Sequence, residues 1–267
     1  MTYTQIRFEV LDGIAVLTIN RPDIRNAITG RDMIEEIEDA CRRVNADLSI
    51  RVMILTAVDP SFSAGGNVKD MAKKEGMFGG TPAQVMENYR DNVQRIPLAV
   101  HEVAVPTIAA VNGPAIGAGC DLALMCDMRV ASEKARFGET FLTVGLIPGD
   151  GGAYFLPRVV GMARACELTF TGDVIDAQRA LAIGLVNEVA AHEQLMEKTL
   201  ALAKRIAAKP SEALRMAKRL LYMGHSLTLR QLLEQSAAYQ ALCHHTDDHM
   251  EALSAMFEKR EPSFKGR

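Results

Sequence analysis

The chain has 267 residues (29.1 kDa), 48% hydrophobic and 24% charged, with a net charge of −3 and a pI near 6.1. That length supports a sizeable core and excludes a largely disordered chain, and the weak negative charge offers no basic field for nucleic acid or an anionic membrane. Alanine (36) and glycine (20) are abundant against 5% aromatics and no tryptophan, so backbones are expected to approach closely around small side chains.

From the N-terminus, residues 1–10 have neither the basic start nor the apolar run of a secretory signal. Residues 6–10 alternate in polarity, Asp12-Gly13 is a hairpin turn signal, and residues 14–19 supply a second strand, ended by Asn20-Arg21-Pro22-Asp23. Over 29–44, Met33, Ile34, Ile37, Ala40, Cys41 and Val44 recur on one face and predict an amphipathic helix. Residues 51–56 form an apolar run, as expected for a strand buried on both faces. A second round follows: a helix over 82–96, a buried strand over 105–111, a break at Asn112-Gly113-Pro114, a short helix over 117–125 and a strand over 128–131. Strands separated by helices predict β/α units with parallel pairing. Residues 103–120 are uncharged, but Pro106, Asn112, Pro114 and three glycines are unlike a membrane span.

Beyond residue 195 the pattern is helical throughout, over 195–208, 210–223, 227–242 and 245–257, with Pro210 as a first-turn residue. The expected organisation is a β/α core over 1–195 and a helical region over 196–267, with no linker between them. Cys41, Cys120, Cys126, Cys166 and Cys243 are odd in number and contain no CxxC pair. Free thiols in a reducing cytoplasm are therefore expected, rather than disulfides or a cysteine zinc site.

Three segments could carry chemistry. Residues 61–70 leave the strand at 51–56 through Gly65-Gly66, where adjacent glycines let the backbone turn and present bare N–H groups. Residues 112–121 leave the next buried strand and open a helix through Gly117-Ala118-Gly119, with Asp121 in its first turn. Residues 137–152 hold Glu139 and a glycine-flanked Asp150. Each alone is also an ordinary turn or helix start. Together, two strand exits about 50 residues apart can aim two N–H groups at one point, an oxyanion hole, with carboxylates nearby for proton transfer. Neither a GxGxxG fingerprint nor a GxxxxGK[ST] loop is present.

With these residues in view, the sequence resembles the crotonase (enoyl-CoA hydratase/isomerase) superfamily. The likeness is carried by Asn20-Arg21-Pro22 with Asn26-Ala27, by residues 62–69 and 111–124, by Cys126-Asp127, and by Phe137-Gly138 with residues 145–149. Leu156-Pro157-Arg158, Thr171-Gly172, Gly184-Leu185-Val186 and residues 257–260 also fit. The resemblance implies an α/β fold, a spiral of ββα units followed by a C-terminal helical layer that builds a homotrimer, often paired into a hexamer. It implies an acyl-CoA substrate, with coenzyme A as part of that substrate and neither metal nor redox cofactor. It assigns the oxyanion hole to Gly66 and Ala118, and substrate contacts to Arg25, Ala27, Ala64, Asn67, Val68, Lys69 and Phe141.

The hydratases this sequence resembles use two glutamates. Asp121 stands at the first position, shorter by one methylene or roughly 1.5 Å of reach. Phe141 stands at the second and cannot transfer a proton. Asp150 and Glu139 are the candidate replacements, with Asp150 ranked first for its glycine neighbours. The expected activity is enoyl-CoA hydration or isomerisation. The alternatives are dienoyl- or enoyl-CoA isomerisation, C–C or thioester hydrolysis using Asp121 and Asp150, and non-catalytic acyl-CoA binding. His245 and His249 are four apart but read as a surface cluster at a helix start, and residues 73–80 read as a solvated connection or a mobile wall of the acyl pocket.

Overall fold

The computed structural model describes residues 2–266. Strands β1 (Ile6–Leu11) and β2 (Ile14–Ile19) pair antiparallel across Asp12-Gly13, whose φ angles of 52° and 74° give the turn twist a two-residue hairpin needs. Helix α1 (Arg31–Ala46) buries Met33, Ile34, Ile37, Ala40, Cys41 and Val44, the predicted face. Strand β3 (Val52–Ala57) is buried at every position. There follow α2 (Val68–Lys73), α3 (Pro82–Asp91), α4 (Arg95–His101), β4 (Thr107–Val111), β5 (Pro114–Ile116), α5 (Ala118–Leu124), β6 (Met128–Ser132) and β7 (Arg136–Gly138). The chain continues through α6 (Gly152–Val160), α7 (Met162–Thr171), β8 (Val174–Asp176), α8 (Ala177–Ala182) and β9 (Glu188–Ala190). It finishes with α9 (Leu195–Ala207), α10 (Ser211–Met223), α11 (Leu229–His244) and α12 (Asp247–Glu258).

The main sheet runs in the order β1-β2-β3-β4-β6-β9, and every pair beyond the hairpin is parallel. A small sheet, β5-β7-β8, stands at the exit of β4. One face of the main sheet packs under α1, α4 and α5 in the larger core. On the other face, Leu195, Ala203 and Ala207 of α9 pack on Val52, Ile54, Ile108 and Val130. The parallel order brings the C-terminal ends of β3, β4, β6 and β9 to one edge, where crossover chains can converge on a site.

One expectation is corrected, and one stretch carried no prediction. The helix over 82–96 is two helices, broken at Asn92 (φ −123°, ψ −105°). α3 has no fully buried residue, whereas α4 buries Ile96 and Val100, so one apolar period does not run through both. The elements of 152–190 also went unpredicted. Pro157 inside α6 and Gly161 between α6 and α7 mask a helical pattern that burial of Phe155, Leu156, Ala165 and Leu168 nevertheless maintains.

Candidate active site

The two glycine-bearing segments are stitched together by backbone. Ser63 N–H donates to Pro114 O (3.1 Å), Ile116 N–H donates to Ser63 O (3.0 Å), and Ser63 bridges Ala115 in parallel. Glycine is required where they touch. A Cβ on Gly65 (φ +76°) would lie 2.5 Å from Ile116 O and 2.8 Å from Ala118 N, and one on Gly119 would lie 2.2 Å from Ser63 O. Gly66 N–H, the next amide along from Gly65, is thus carried beside the Ala118 amide. Neither has an acceptor among the described residues. Ala118 opens α5, so its N–H has no intrahelical partner. Gly119→Ala is expected to cost about 2–3 kcal/mol of stability, because the clash is with backbone that cannot step aside. An unchanged urea midpoint would show that the two segments are not in contact.

Three carboxyl groups gather beside these amides. Asp121 lies in the first turn of α5, Glu139 directly after β7, and Asp150 just ahead of α6; they are 0%, 1% and 5% exposed. Asp121 Oδ2 accepts from Gly152 N–H at 3.0 Å. Asp121 Oδ1 and both Glu139 oxygens have no hydrogen-bond partner among the described residues. The two carboxyls are close enough to bias each other's ionisation, and two negative charges so close disfavour ionising both. Burial pushes the Asp121 carboxyl far above its ordinary range, and the Glu139 charge pushes it further. Burial also raises Glu139, against the lowering effect of the neighbouring Asp121 and Cys120. Burial alone lifts Asp150 to about 6. At neutral pH Asp150 is therefore mostly ionised, while burial and the neighbouring carboxyl favour the protonated form of Asp121.

The sequence reading missed Gly152. It supplies the amide that orients Asp121, and a Cβ there would lie 2.2 Å from Asp121 Oδ1. The available signal was Gly151-Gly152 at a helix start. Also missed were Gln94, Pro97, Leu98, His101, Tyr154 and Phe155, which line a cavity of about 420 Å³ against Asp150. They come from the region of α4 and α6, whose periodicity is interrupted. A larger cavity of about 740 Å³ lies against α10, lined by Arg215, Lys218 and Tyr222 among others, and none of the three acids lines it.

The remaining predicted residues separate into two groups. Ala64 N–H donates to Arg25 O (2.9 Å) and Ile28 N–H to Gly65 O (2.9 Å), so Arg25, Ala27 and Ala64 are neighbours. Buried Asn26 (φ 55°) holds that corner by donating to Val58 O and Ser61 O. Asn67 caps α2: its Oδ1 accepts from Lys69 N–H at 3.1 Å and its Nδ2 donates to Asp70 at 2.8 Å. Val68 and Lys69 stand exposed on that helix, and the half-buried Phe141 ring lies 3.8 Å from where a Gly117 Cβ would stand. Residues 73–80 are partly packed, with Met77 buried and Phe78 edge-on to Tyr89. His249 faces His244 at 3.2 Å rather than His245, and no metal-holding cluster occurs among the described residues.

Two unpaired backbone donors beside two closely placed buried carboxyls and a third acid form a site able to hold an oxyanion while protons move nearby. The family model for enoyl-CoA hydratase/isomerase matches residues 9–267, and the chain belongs to that family. It is 36% identical to a crotonyl-CoA hydratase of Syntrophomonas wolfei over 99% of both chains. It is also 36% identical to a 2,3-dehydroadipyl-CoA hydratase of Escherichia coli, over 95% of this chain and 96% of that one. Its fold superposes on an enoyl-CoA hydratase from Bacillus anthracis with a TM-score of 0.92 at 33% identity, covering 99% of this chain and 100% of the other. The protein is an enzyme of the enoyl-CoA hydratase/isomerase type with the crotonase α/β fold.

Proposed function

We propose that the enzyme adds water across the double bond of a 2-enoyl-CoA. In this reading Gly66 and Ala118 N–H hold the thioester oxygen, and proton transfer is divided between Asp150 and the Asp121–Glu139 pair. The observation that carries it is the grouping of three buried carboxyls, two of them close enough to bias each other's ionisation, beside two amides without acceptors. Asp150, as the carboxylate, takes a proton from water as the water oxygen bonds to C3. The double-bond electrons move onto the thioester oxygen, where each fixed donor contributes about 3–4 kcal/mol. The resulting enolate collapses by taking the proton of the Asp121–Glu139 pair at C2. Return of the proton from Asp150 to that pair restores the starting state.

Coenzyme A enters as part of the substrate, and the reaction as written needs no other cofactor. Arg25, Ala27, Ala64, the Asn67 segment, Val68 and Lys69 would receive its nucleotide and pantetheine, with Lys69 supplying positive charge for phosphate. Phe141, apolar where the paired-glutamate hydratases carry an acid, favours a second reading in which the same acids shift a double bond without adding water. The helical region after residue 195 is assigned to self-association as a homotrimer or hexamer in the cytoplasm. Leu221, Leu229, Leu233, Leu242 and Phe257 there are all more than half exposed, and α11 has no fully buried residue. No helix among the described residues is long and apolar enough to cross a membrane.

Product masses after incubation with crotonyl-CoA and a panel of enoyl-, dienoyl- and β-keto-acyl-CoAs test the assignment. A gain of water supports hydration. An unchanged mass with a moved double bond selects isomerisation, and a released acid selects hydrolysis. Binding without any product across the panel would leave an acyl-CoA-binding protein.

A further inference from the structure

Where β3, β4, β6 and β9 end, four side chains form one run of hydrogen bonds. Asn112 Nδ2 donates to Asp59 Oδ1 (2.9 Å), Asp59 Oδ2 meets His192 Nε2 (3.1 Å), and His192 Nδ1 meets Ser132 Oγ (3.1 Å). Lys134 N–H donates to Ser132 Oγ at 3.1 Å. The Ser–His–Asp order resembles a hydrolytic triad, but Ser132 is 0% exposed and no substrate carbonyl can reach its hydroxyl. The bonds instead form a self-consistent set: the Ser132 hydroxyl donates to Nδ1, and Nε2–H donates to the Asp59 carboxylate. Ionised Asp59 is favoured, chiefly by the bond from Asn112.

The position of this run matters more than its resemblance. Asp59 stands on the segment leading from β3 to Gly66, and Asn112 on the one leading from β4 to Ala118. The two segments touch here as well, since a Cβ on Gly113 would lie 2.3 Å from Pro60 O. We propose that Asp59 is a positioning residue: by accepting from Asn112 and His192 together, it fixes the roots of both amide-bearing segments and so sets the spacing of the Gly66 and Ala118 donors. The inference rests on reading those amides as an oxyanion hole.

Two substitutions separate positioning from charge. Asp59→Ala removes both bonds. Asp59→Asn keeps them, because its oxygen accepts from Asn112 while its Nδ2 donates to His192 Nε2, and the other ring nitrogen then donates to Ser132. The readouts are kcat and KM on crotonyl-CoA, and the absorption red shift of a bound cinnamoyl-type CoA thioester, which reports carbonyl polarisation without turnover. The Asp59 side chain is 61% exposed and its bonds compete with water, so Asp59→Ala is expected to lower kcat by about three- to tenfold with KM little changed, and to reduce the red shift. Asp59→Asn is expected to retain both. Wild-type kcat and red shift in Asp59→Ala, or equal impairment of the two variants, would overturn the inference. Should Asp59→Ala not fold, Asn112→Ala, which removes the bond joining the two segments, is read the same way, and an undiminished red shift overturns the inference. Absence of any red shift in the unsubstituted enzyme would instead overturn the oxyanion-hole reading, and this inference with it.

Discussion

Asp150→Asn is expected to lower enoyl-CoA turnover by about 10²–10⁴-fold while making the protein more stable above pH 6. An amide cannot take the proton of the attacking water, so the first effect follows from the assigned role. The second follows from burial, which lifts the Asp150 carboxyl from 3.8 to about 6. A carboxyl whose folded value lies above its unfolded value stabilises the fold at low pH, and that contribution is lost as pH rises from near 4 through about 6. The shift corresponds to about 3 kcal/mol, which asparagine does not lose because it does not ionise. Urea midpoints should therefore nearly coincide at pH 4 and separate in favour of the variant at pH 8. Wild-type turnover should itself rise as pH passes through about 6 and Asp150 becomes a base. Full turnover by Asp150→Asn on every accepted acyl-CoA would remove Asp150 from the mechanism, and equal midpoints at pH 8 would show that its ionisation carries no cost.

Gly66→Pro is expected to lower kcat by about 10²–10³-fold, the usual consequence of deleting one oxyanion donor. The comparison is Gly66→Ala, which keeps the N–H. A Cβ at this position first meets Met71 Cε, 2.3 Å away, the flexible tip of a side chain that can swing aside. Gly66 also lies outside the left-handed region, so neither substitution requires a glycine-only backbone there. Alanine should thus fold and turn over close to wild type, and proline should fold but turn over poorly. A proline variant as fast as the alanine variant would mean that the Gly66 amide does not hold the thioester oxygen.

These expectations differ in how far the sequence alone supports them. The β1–β2 hairpin, the buried face of α1 and the apolar strand β3 were legible because each is set by local turn chemistry or by the period of apolar residues within one element. Both amide-bearing segments were legible for the same reason, since paired glycines at strand exits are a local signal. The break between α3 and α4 and the run from α6 to β9 were not. There, interior proline, glycine punctuation and burial by distant partners override periodicity.

At the site, the residue types were present in the sequence but their relations were not. Asp121, Glu139 and Asp150 were candidates from their glycine-rich surroundings. That Asp121 and Glu139 bias each other's ionisation depends on the two segments meeting in the fold: β7 pairs with β5, which carries Glu139 back beside the start of α5. Gly152 gained meaning only from the Asp121 oxygen lying against it. Asn67 also caps α2, as its position immediately before that helix explains. The sequence by itself determined the family and the parallel β/α core, and it singled out Gly66 and Ala118 as the candidate amides. The tertiary structure alone decided which carboxyl meets which, and that Asp59 meets His192 across 133 residues. Mutual bias of ionisation and charge burial depend on distances of about 3 Å between groups far apart in the chain, and those distances arise only when the sheet closes around them.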